Sequence, residues 1–208
     1  MTEMFDIYDE ALNHIGWKPR DEVHREGEWH RVFHCWVIYR DAEGEDWVII
    51  QKRAANKTTW PDFLDVSAAG HYEAGEAVPD GLRELEEELG LTPQFDALIP
   101  LGKRVSIARY KDIIDCQIAD VFFYICDQPL SAYRYQKEEI AGLVAVNVDE
   151  ALALFSGEVE SINAPAAGLG VPIITISPDD FIPTHDRYFY KTLVLAKRCL
   201  NGESHLLI

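Results

Sequence analysis

The chain has 208 residues, 48% apolar and 26% charged, enough for one domain to bury a core without covalent staples. Its formal charge of -17, from 36 acids against 19 Lys plus Arg, excludes a general nucleic-acid or anionic-membrane surface. No apolar run is long enough to span a bilayer, and the start MTEMFDIYDEALNHIG has no basic-then-apolar leader, so a cytoplasmic protein is expected. Residues 1–31 read as an irregular or short-stranded segment rich in charge and histidine. Val32–Tyr39 and Trp47–Gln51 are β-former runs around the turn Asp41-Ala-Glu-Gly-Glu45, which predicts an antiparallel hairpin. Lys52-Arg53 closes the second strand, Asn56–Pro61 is loop, and Asp65–Ala69 predicts a short strand running into a glycine-bearing loop. A helix is expected from Pro79 to about Leu89, stopped by Gly90 with Pro93 beyond. Strands follow at Leu101–Ile107, Ile118–Tyr124 and Val144–Val148, then a short helix over Asp149–Phe155 capped by Asp149. Phe189, Leu193, Ala196 and Leu200 recur at helical spacing and predict a C-terminal helix starting near Thr184 or His185.

Cys35, Cys116, Cys126 and Cys199 form no CxxC pair and read as four buried thiols in a reducing compartment. The acidic balance also sets a chemical condition. An acidic protein that acts on an anion needs a counter-charge, and a bound divalent cation is the natural one.

The segment Gly70–Leu91, GHYEAGEAVPDGLRELEEELGL, is the most informative. On a helix, Glu84, Glu87 and Glu88 share one face, while Leu82, Leu85 and Leu89 form an apolar stripe. Converging carboxylates raise one another's proton affinity unless a cation compensates. Mg²⁺, or Mn²⁺ in its place, takes carboxylate oxygens and also binds substrate phosphates. Arg83 is placed to pair with Glu87 or to reach back to Glu73 or Glu76, and Gly70 and Gly75 let the loop turn tightly.

Together these residues resemble the Nudix box: Gly, five residues, Glu, seven residues, then Arg-Glu-hydrophobic-any-Glu-Glu-any-Gly-hydrophobic. Gly70, Glu76, Arg83, Glu84, Leu85, Glu87, Glu88, Gly90 and Leu91 fill its defined positions. Only six residues, AVPDGL, separate Glu76 from Arg83, which predicts a tightened turn into the helix. The resemblance implies an α/β Nudix fold, a mixed sheet between helices in an α/β/α sandwich with a helical C-terminal extension. It implies one domain over 1–208, with a core near 30–160. It further implies Glu84, Glu87 and Glu88 as metal ligands beside the Gly70 carbonyl, with Glu76, Arg83 and Gly90 structural. The implied reaction is hydrolysis of a phosphoanhydride bond in a nucleoside-diphosphate-linked or other small organic diphosphate.

Outside the box, EMFDIYDE, HREGEWHRVFHCWVIY and QKRAANKTTWPDFLDVSAAGHYEAGE resemble the Nudix branch close to isopentenyl-diphosphate isomerase. Those isomerases carry a cysteine two residues before a metal-binding histidine, and a glutamate on a later strand. The histidine matches His71, the cysteine position is Ala69, and the later acidic pair corresponds to Asp115 and Gln117. His24 and His30 resemble the early metal histidines at a spacing one residue shorter. Alanine has no proton to give or take, so hydrolysis is expected over isomerisation; a non-catalytic diphosphate-binding protein is the other alternative.

Of Lys52 and Arg53, strand alternation lets one face the pocket, and Arg53, whose fork suits a diphosphate, is the favoured phosphate contact. His71 reads as a turn histidine or as an extra metal or phosphate contact, and His24, His30 and His34 as pocket-edge side chains. Glu138 or Glu139 is the best match for a general base on a later loop, with Glu87 or Glu88 also able to serve the water. Trp29, Trp36, Trp60 and Tyr72 offer flat faces, Trp60 first among them. The stretch Tyr188–Tyr190 is compatible with shaping the pocket, capping the domain or forming a homodimer surface. The expected partner is a small diphosphate, with no nucleic-acid polymer and no membrane.

Overall fold

The computed structural model describes residues 2–208. The N-terminal segment is more regular than its composition suggests: β1 (Met4–Tyr8), β2 (His14–Pro19) and α1 (Arg20–Glu26). The Asp9 carboxylate accepts from the backbone amides of Ala11 and Asn13 and so closes the β1–β2 turn. Gly27, at φ 70, ends α1 in the left-handed conformation that glycine adopts without strain.

The expected hairpin is β3 (Trp29–Arg40) and β4 (Asp46–Arg53), antiparallel with Val37 opposite Ile49. Asp41 organises its turn, accepting from the amides of Glu43 and Glu45 and from Trp47 Nε1. The single strand expected over Asp65–Ala69 is two, β5 (Leu64–Asp65) on β4 and β6 (Ala68–His71) on β3. Ser67 sits between them where β3 and β4 diverge. Its hydroxyl accepts from Val37 N–H and donates to the Ile49 carbonyl, satisfying both strands at the split.

α2 (Leu82–Leu89), β7 (Ile99–Tyr110), β8 (Ile113–Ile125), β9 (Ile140–Asn147) and α3 (Val148–Ser156) follow. The cap of α3 is Asn147, not Asp149: its side-chain oxygen accepts from the amides of Asp149 and Glu150. Beyond the expected elements lie β10 (Ile162–Ala167) and β11 (Ile173–Ile176), which extend the sheet past β9 before α4 (Tyr188–Leu200).

β3 is the axis of the eleven-stranded sheet. One flank carries β8, parallel to it, with β7 antiparallel to β8. The other flank carries β1, β6 and β4 in succession along its length. One sheet face packs Phe33, Cys35 and Val37 against Leu85 and Leu89 of α2. The opposite face packs Trp36, Ile38 and Val121 with α3 and with Phe189, Leu193 and Ala196 of α4. The result is a mixed sheet flanked by helices with an additional C-terminal helix. Cys35 and Cys116 are buried as expected, but Cys126 and Cys199 are only half-buried, and all four are free thiols. Among the described residues no helix is long and apolar enough to cross a membrane.

Candidate active site

On the α4 side the sheet is left open toward its β6–β3–β8–β7 end, above a cavity of about 1130 Å³. α2 lies behind the sheet, yet its carboxylates reach the cavity past β6. Leu85 and Leu89 are fully buried and fix the helix rotation; one turn round, Glu84 and Glu88 are buried at 8% exposure each and Glu87 stands at the rim. The turn into this helix is a 3-10 turn, Val78–Gly81. With three residues per turn it takes up the missing residue of the box.

Gly70 is the close-approach point. A side chain there would occupy the space of the Glu84 carboxylate. The Ala69 amide donates to Glu88 Oε2 at 2.8 Å and Gln51 Nε2 donates to the same oxygen at 3.2 Å. Arg83 gathers the rest: its guanidinium lies 3.0 Å from Glu84, 3.2 Å from Glu87 and 3.6 Å from Glu76, and donates to the His71 carbonyl. Glu76 in turn accepts from the Glu73 amide, so the shortened spacing keeps it at the clamp. Gly90, at φ 67, terminates the helix.

Burial pushes the Glu84 carboxyl up to about 7, partly offset by Arg83. Burial likewise pushes Glu88 up to about 8, against the hydrogen bond from Ala69. Two buried carboxylates whose one ion-paired cation among the described residues is Arg83 are a donor set that a hard divalent ion fits.

The other expected residues divide. Arg53 lines the cavity, but its guanidinium is spent: Nε and Nη2 donate to the Thr59 and Trp60 carbonyls and Nη1 to Asp65. It fastens the 54–63 loop. Lys52, the alternate strand residue, is not among the cavity residues. Glu138 and Glu139 both line the cavity from a turn before β9; Glu139 is paired with Lys57, while Glu138 is exposed and free of ion pairs among the described residues. Trp60 stands at the cavity lip, and Trp36 and Tyr72 are core residues instead.

His24, His30 and His34 are not pocket-edge side chains as a group. His30 is fully buried and His34 nearly so. His34 goes elsewhere, its Nδ1 3.0 Å from the Tyr188 hydroxyl. In its place His71 joins His24, His30 and Asp115, with four potential ligand atoms all within 4.8 Å of one another. His30 Nε2 is 3.2 Å from Asp115 Oδ1 but not aligned to bond it; those two atoms and His71 Nε2 are buried without a hydrogen-bond partner. Phe5 stacks on His71 and His30 from below, at ring-centroid distances of 4.7 and 5.5 Å. Burial pushes the His71 imidazole well below its ordinary value and lowers His24, so lone pairs are available. Three imidazoles and a carboxylate fit a borderline divalent ion better than magnesium.

Sequence reasoning also missed the far wall. Arg104 of β7 forms a two-pronged pair with Asp186 at 2.8 and 3.0 Å and lies 4.1 Å over the Tyr188 ring. The Tyr188 hydroxyl accepts from Trp36 Nε1 at 3.0 Å. The C-terminal segment therefore shapes the cavity, one of the roles expected for it.

Comparison with known proteins agrees with this geometry. The NUDIX domain model matches residues 15–164. An uncharacterized Nudix hydrolase of Clostridium acetobutylicum is 35% identical over 200 residues, covering 93% of this chain and 96% of that protein. An isopentenyl-diphosphate Delta-isomerase of Clavibacter sepedonicus is 30% identical over 131 residues, 62% of this chain and 67% of that one. A crystal structure from Deinococcus radiodurans shares the fold, with a TM-score of 0.55 at 21% identity over 74% of this chain and 90% of that one. With the box positions gathered on α2 and the segment that leads into it, a family model matching residues 15–164 and a relative matching along nearly the whole length, the chain belongs to the Nudix hydrolase family.

Proposed function

We propose that this protein hydrolyses a phosphoanhydride bond in a nucleoside-diphosphate-linked or other small organic diphosphate, with Mg²⁺ held by Glu84, Glu87 and Glu88 beside the Gly70 carbonyl. The observation that carries this is the pair of buried carboxylates, Glu84 and Glu88, aimed past Gly70 into the cavity. A divalent ion there supplies charge neutralisation for the diphosphate and acidifies the attacking water. Arg83 holds the three carboxylates of Glu76, Glu84 and Glu87 in one cluster, and the Ala69 amide orients Glu88. Glu138, which lines the cavity and is free of ion pairs among the described residues, would take the proton of the attacking water in this reading. Thr58, Gln117 and Gln136 offer neutral hydrogen-bonding groups to the remainder of the substrate.

The histidine cluster favours a second reading, isomerisation of a prenyl diphosphate, because it assembles the metal positions of the resembling isomerases. Two residues speak against it. Ala69 occupies the cysteine position, and Gln117 donates its amide to Asp115 at 2.8 Å where an acid would stand. Neither can move an allylic proton. The cluster instead suits a second, borderline divalent ion that buttresses the same cavity.

The test is phosphate release, with a coupling phosphatase where needed, from nucleoside diphosphates, nucleotide sugars, dinucleotides and isopentenyl diphosphate, with and without Mg²⁺. Magnesium-dependent turnover of one class that Glu88→Gln abolishes is the expected result. Conversion of isopentenyl diphosphate to its isomer, with no phosphate released from any compound, would overturn the hydrolase reading.

A further inference from the structure

Three successive residues of β1 hold the segment that leads from β6 toward α2. The Met4 carbonyl accepts from the Ala74 amide at 2.7 Å. The Phe5 ring stacks on His71 with the two planes 9° apart. One oxygen of the Asp6 carboxylate accepts from the Gly75 amide at 2.9 Å, and the other lies 3.1 Å from His14 Nε2. β1 is itself fixed in place. Phe5 and Ile7 pack with Val23 of α1, and Ile7 and Tyr8 pair with His30 and Trp29 of β3. Asp9 closes the β1–β2 turn, which leaves the Asp6 carboxylate to the loop.

What the loop carries is Glu76. Residues Glu73 to Glu76 form a turn tied from both ends: the Glu76 amide donates to the Glu73 carbonyl at 3.0 Å, and the Glu76 carboxylate accepts from the Glu73 amide at 2.8 Å. The two amides between them, those of Ala74 and Gly75, are the ones that β1 takes. Glu76 then shares the Arg83 guanidinium with Glu84 and Glu87, at 3.6, 3.0 and 3.2 Å. A metal ion taken by Glu84 and Glu87 competes with Arg83 for their oxygens. That competition is milder while Glu76 draws on the guanidinium, because one cation divided among three carboxylates holds each less firmly than one divided between two.

We propose that Asp6 is a positioning residue for the candidate metal site: by accepting from the Gly75 amide it keeps Glu76 on Arg83, and so loosens the hold of Arg83 on the carboxylates that take the ion. The proposal rests on the hydrolase reading and extends it to a strand that supplies no carboxylate ligand. Ala74 and Gly75 are exposed, so a Gly75 amide released from Asp6 finds water and is not left unsatisfied. The fold is therefore expected to survive loss of the carboxylate, while the placement of the turn does not.

Asp6 also brings a negative charge, and two variants separate charge from hydrogen bond. Asp6→Ala removes both; Asp6→Asn removes the charge and keeps an oxygen for the Gly75 amide. Mn²⁺ affinity is measured by calorimetry on the unaltered chain and both variants, and the binding event assigned to the carboxylates is the one that Glu88→Gln removes. Amide hydrogen exchange at Gly75, against Val37 in the sheet, reports the clamp and the fold without any metal. In Asp6→Ala, Gly75 is expected to exchange faster with Val37 unchanged, and the Mn²⁺ event to weaken about tenfold. Asp6→Asn is expected to stay close to the unaltered chain in both. Unchanged Mn²⁺ affinity in Asp6→Ala, or Gly75 exchange that does not move, overturns the positioning role and leaves the metal site standing. Equal weakening in Asp6→Asn assigns the effect to charge and overturns it too. Loss of Val37 protection makes Asp6 a residue of the fold, with the same consequence. No Mn²⁺ event sensitive to Glu88→Gln in the unaltered chain removes the metal site itself, and the positioning role with it.

Discussion

Gly70→Ala is the sharpest perturbation the site offers. The added methyl would fall within the Glu84 carboxylate, against an ordinary contact distance of about 3.5 Å, so the carboxylate must retreat by roughly 1.5 Å. Magnesium–oxygen distances sit near 2.0–2.1 Å in a nearly rigid octahedron, with a tolerance of about 0.2 Å. If Glu84 ligates Mg²⁺ as proposed, it ceases to do so. Losing one of three carboxylate ligands is expected to lower kcat/KM by about 100- to 1000-fold, or roughly 3–4 kcal/mol of transition-state stabilisation. Folding is expected to change by less than about 1 kcal/mol. The displaced group is the free end of a flexible side chain, and replacing glycine in a strand restricts the unfolded chain. Magnesium titration of turnover and urea denaturation, run side by side, separate the two effects. Unchanged kcat/KM with unchanged magnesium dependence in Gly70→Ala would refute the ligand assignment of Glu84, and collapse of the urea midpoint would refute the claim that the cradle is local.

Three further outcomes are expected. Tyr188→Phe removes the hydroxyl that accepts from Trp36 and meets His34; with both partners buried and left unsatisfied, urea denaturation should show a loss of about 2–4 kcal/mol. His34 is held neutral by burial and by Arg104, its pKa pushed down to about 4 from 6.5. Its contribution is therefore whole above pH 6.5 and lost as the pH falls to 4, because the unfolded chain binds the proton first. About 3 kcal/mol of acid destabilisation should disappear from the pH–stability curve of His34→Gln. His30→Ala takes a buried donor from the histidine cluster, so the protein equilibrated with Zn²⁺ and desalted should retain at least tenfold less zinc by elemental analysis; equal retention would remove that centre.

How legible the site was depended on how far along the chain its parts lie. The box fills 22 consecutive positions, and helical period alone puts its carboxylates on one side and Leu85 and Leu89 on the other. The histidine cluster draws on residues 24, 30, 71 and 115, which meet only through the parallel pairing of β3 with β8 and the antiparallel pairing of β3 with β6. The pattern H-x5-H-x3-H grouped His34 with His24 and His30, and strand alternation does put His30 and His34 on one face. Four residues of strand separate them by about 13 Å, which delivers His34 to Tyr188 instead. β10 and β11 escaped notice because small residues and Pro165 dilute the apolar signal of strands that stand near the sheet edge. The Arg104–Asp186 wall joins residues 82 apart in sequence, with nothing local to announce it.

Arg53 shows a different limit, since its position was legible and its bonding was not. Composition identified a cation at a strand end facing the pocket; only the folded chain reveals that its donors are taken by Thr59, Trp60 and Asp65. The same holds around the cavity. Arg20 pairs with Glu3, Lys57 with Glu139, Arg83 with Glu84 and Arg104 with Asp186. Among the described residues Arg109 alone of the arginines and lysines lining the cavity is free of an ion pair, and it is exposed. A diphosphate entering this cavity thus finds every basic side chain but Arg109 already neutralised, in a chain whose formal charge is -17. Binding it without a divalent cation would require breaking these pairs and leaving their acids uncompensated beside the phosphates. Under the proposed function, the carboxylate cluster behind Gly70 would avoid this, because the positive charge would come in with the metal instead of with the side chains.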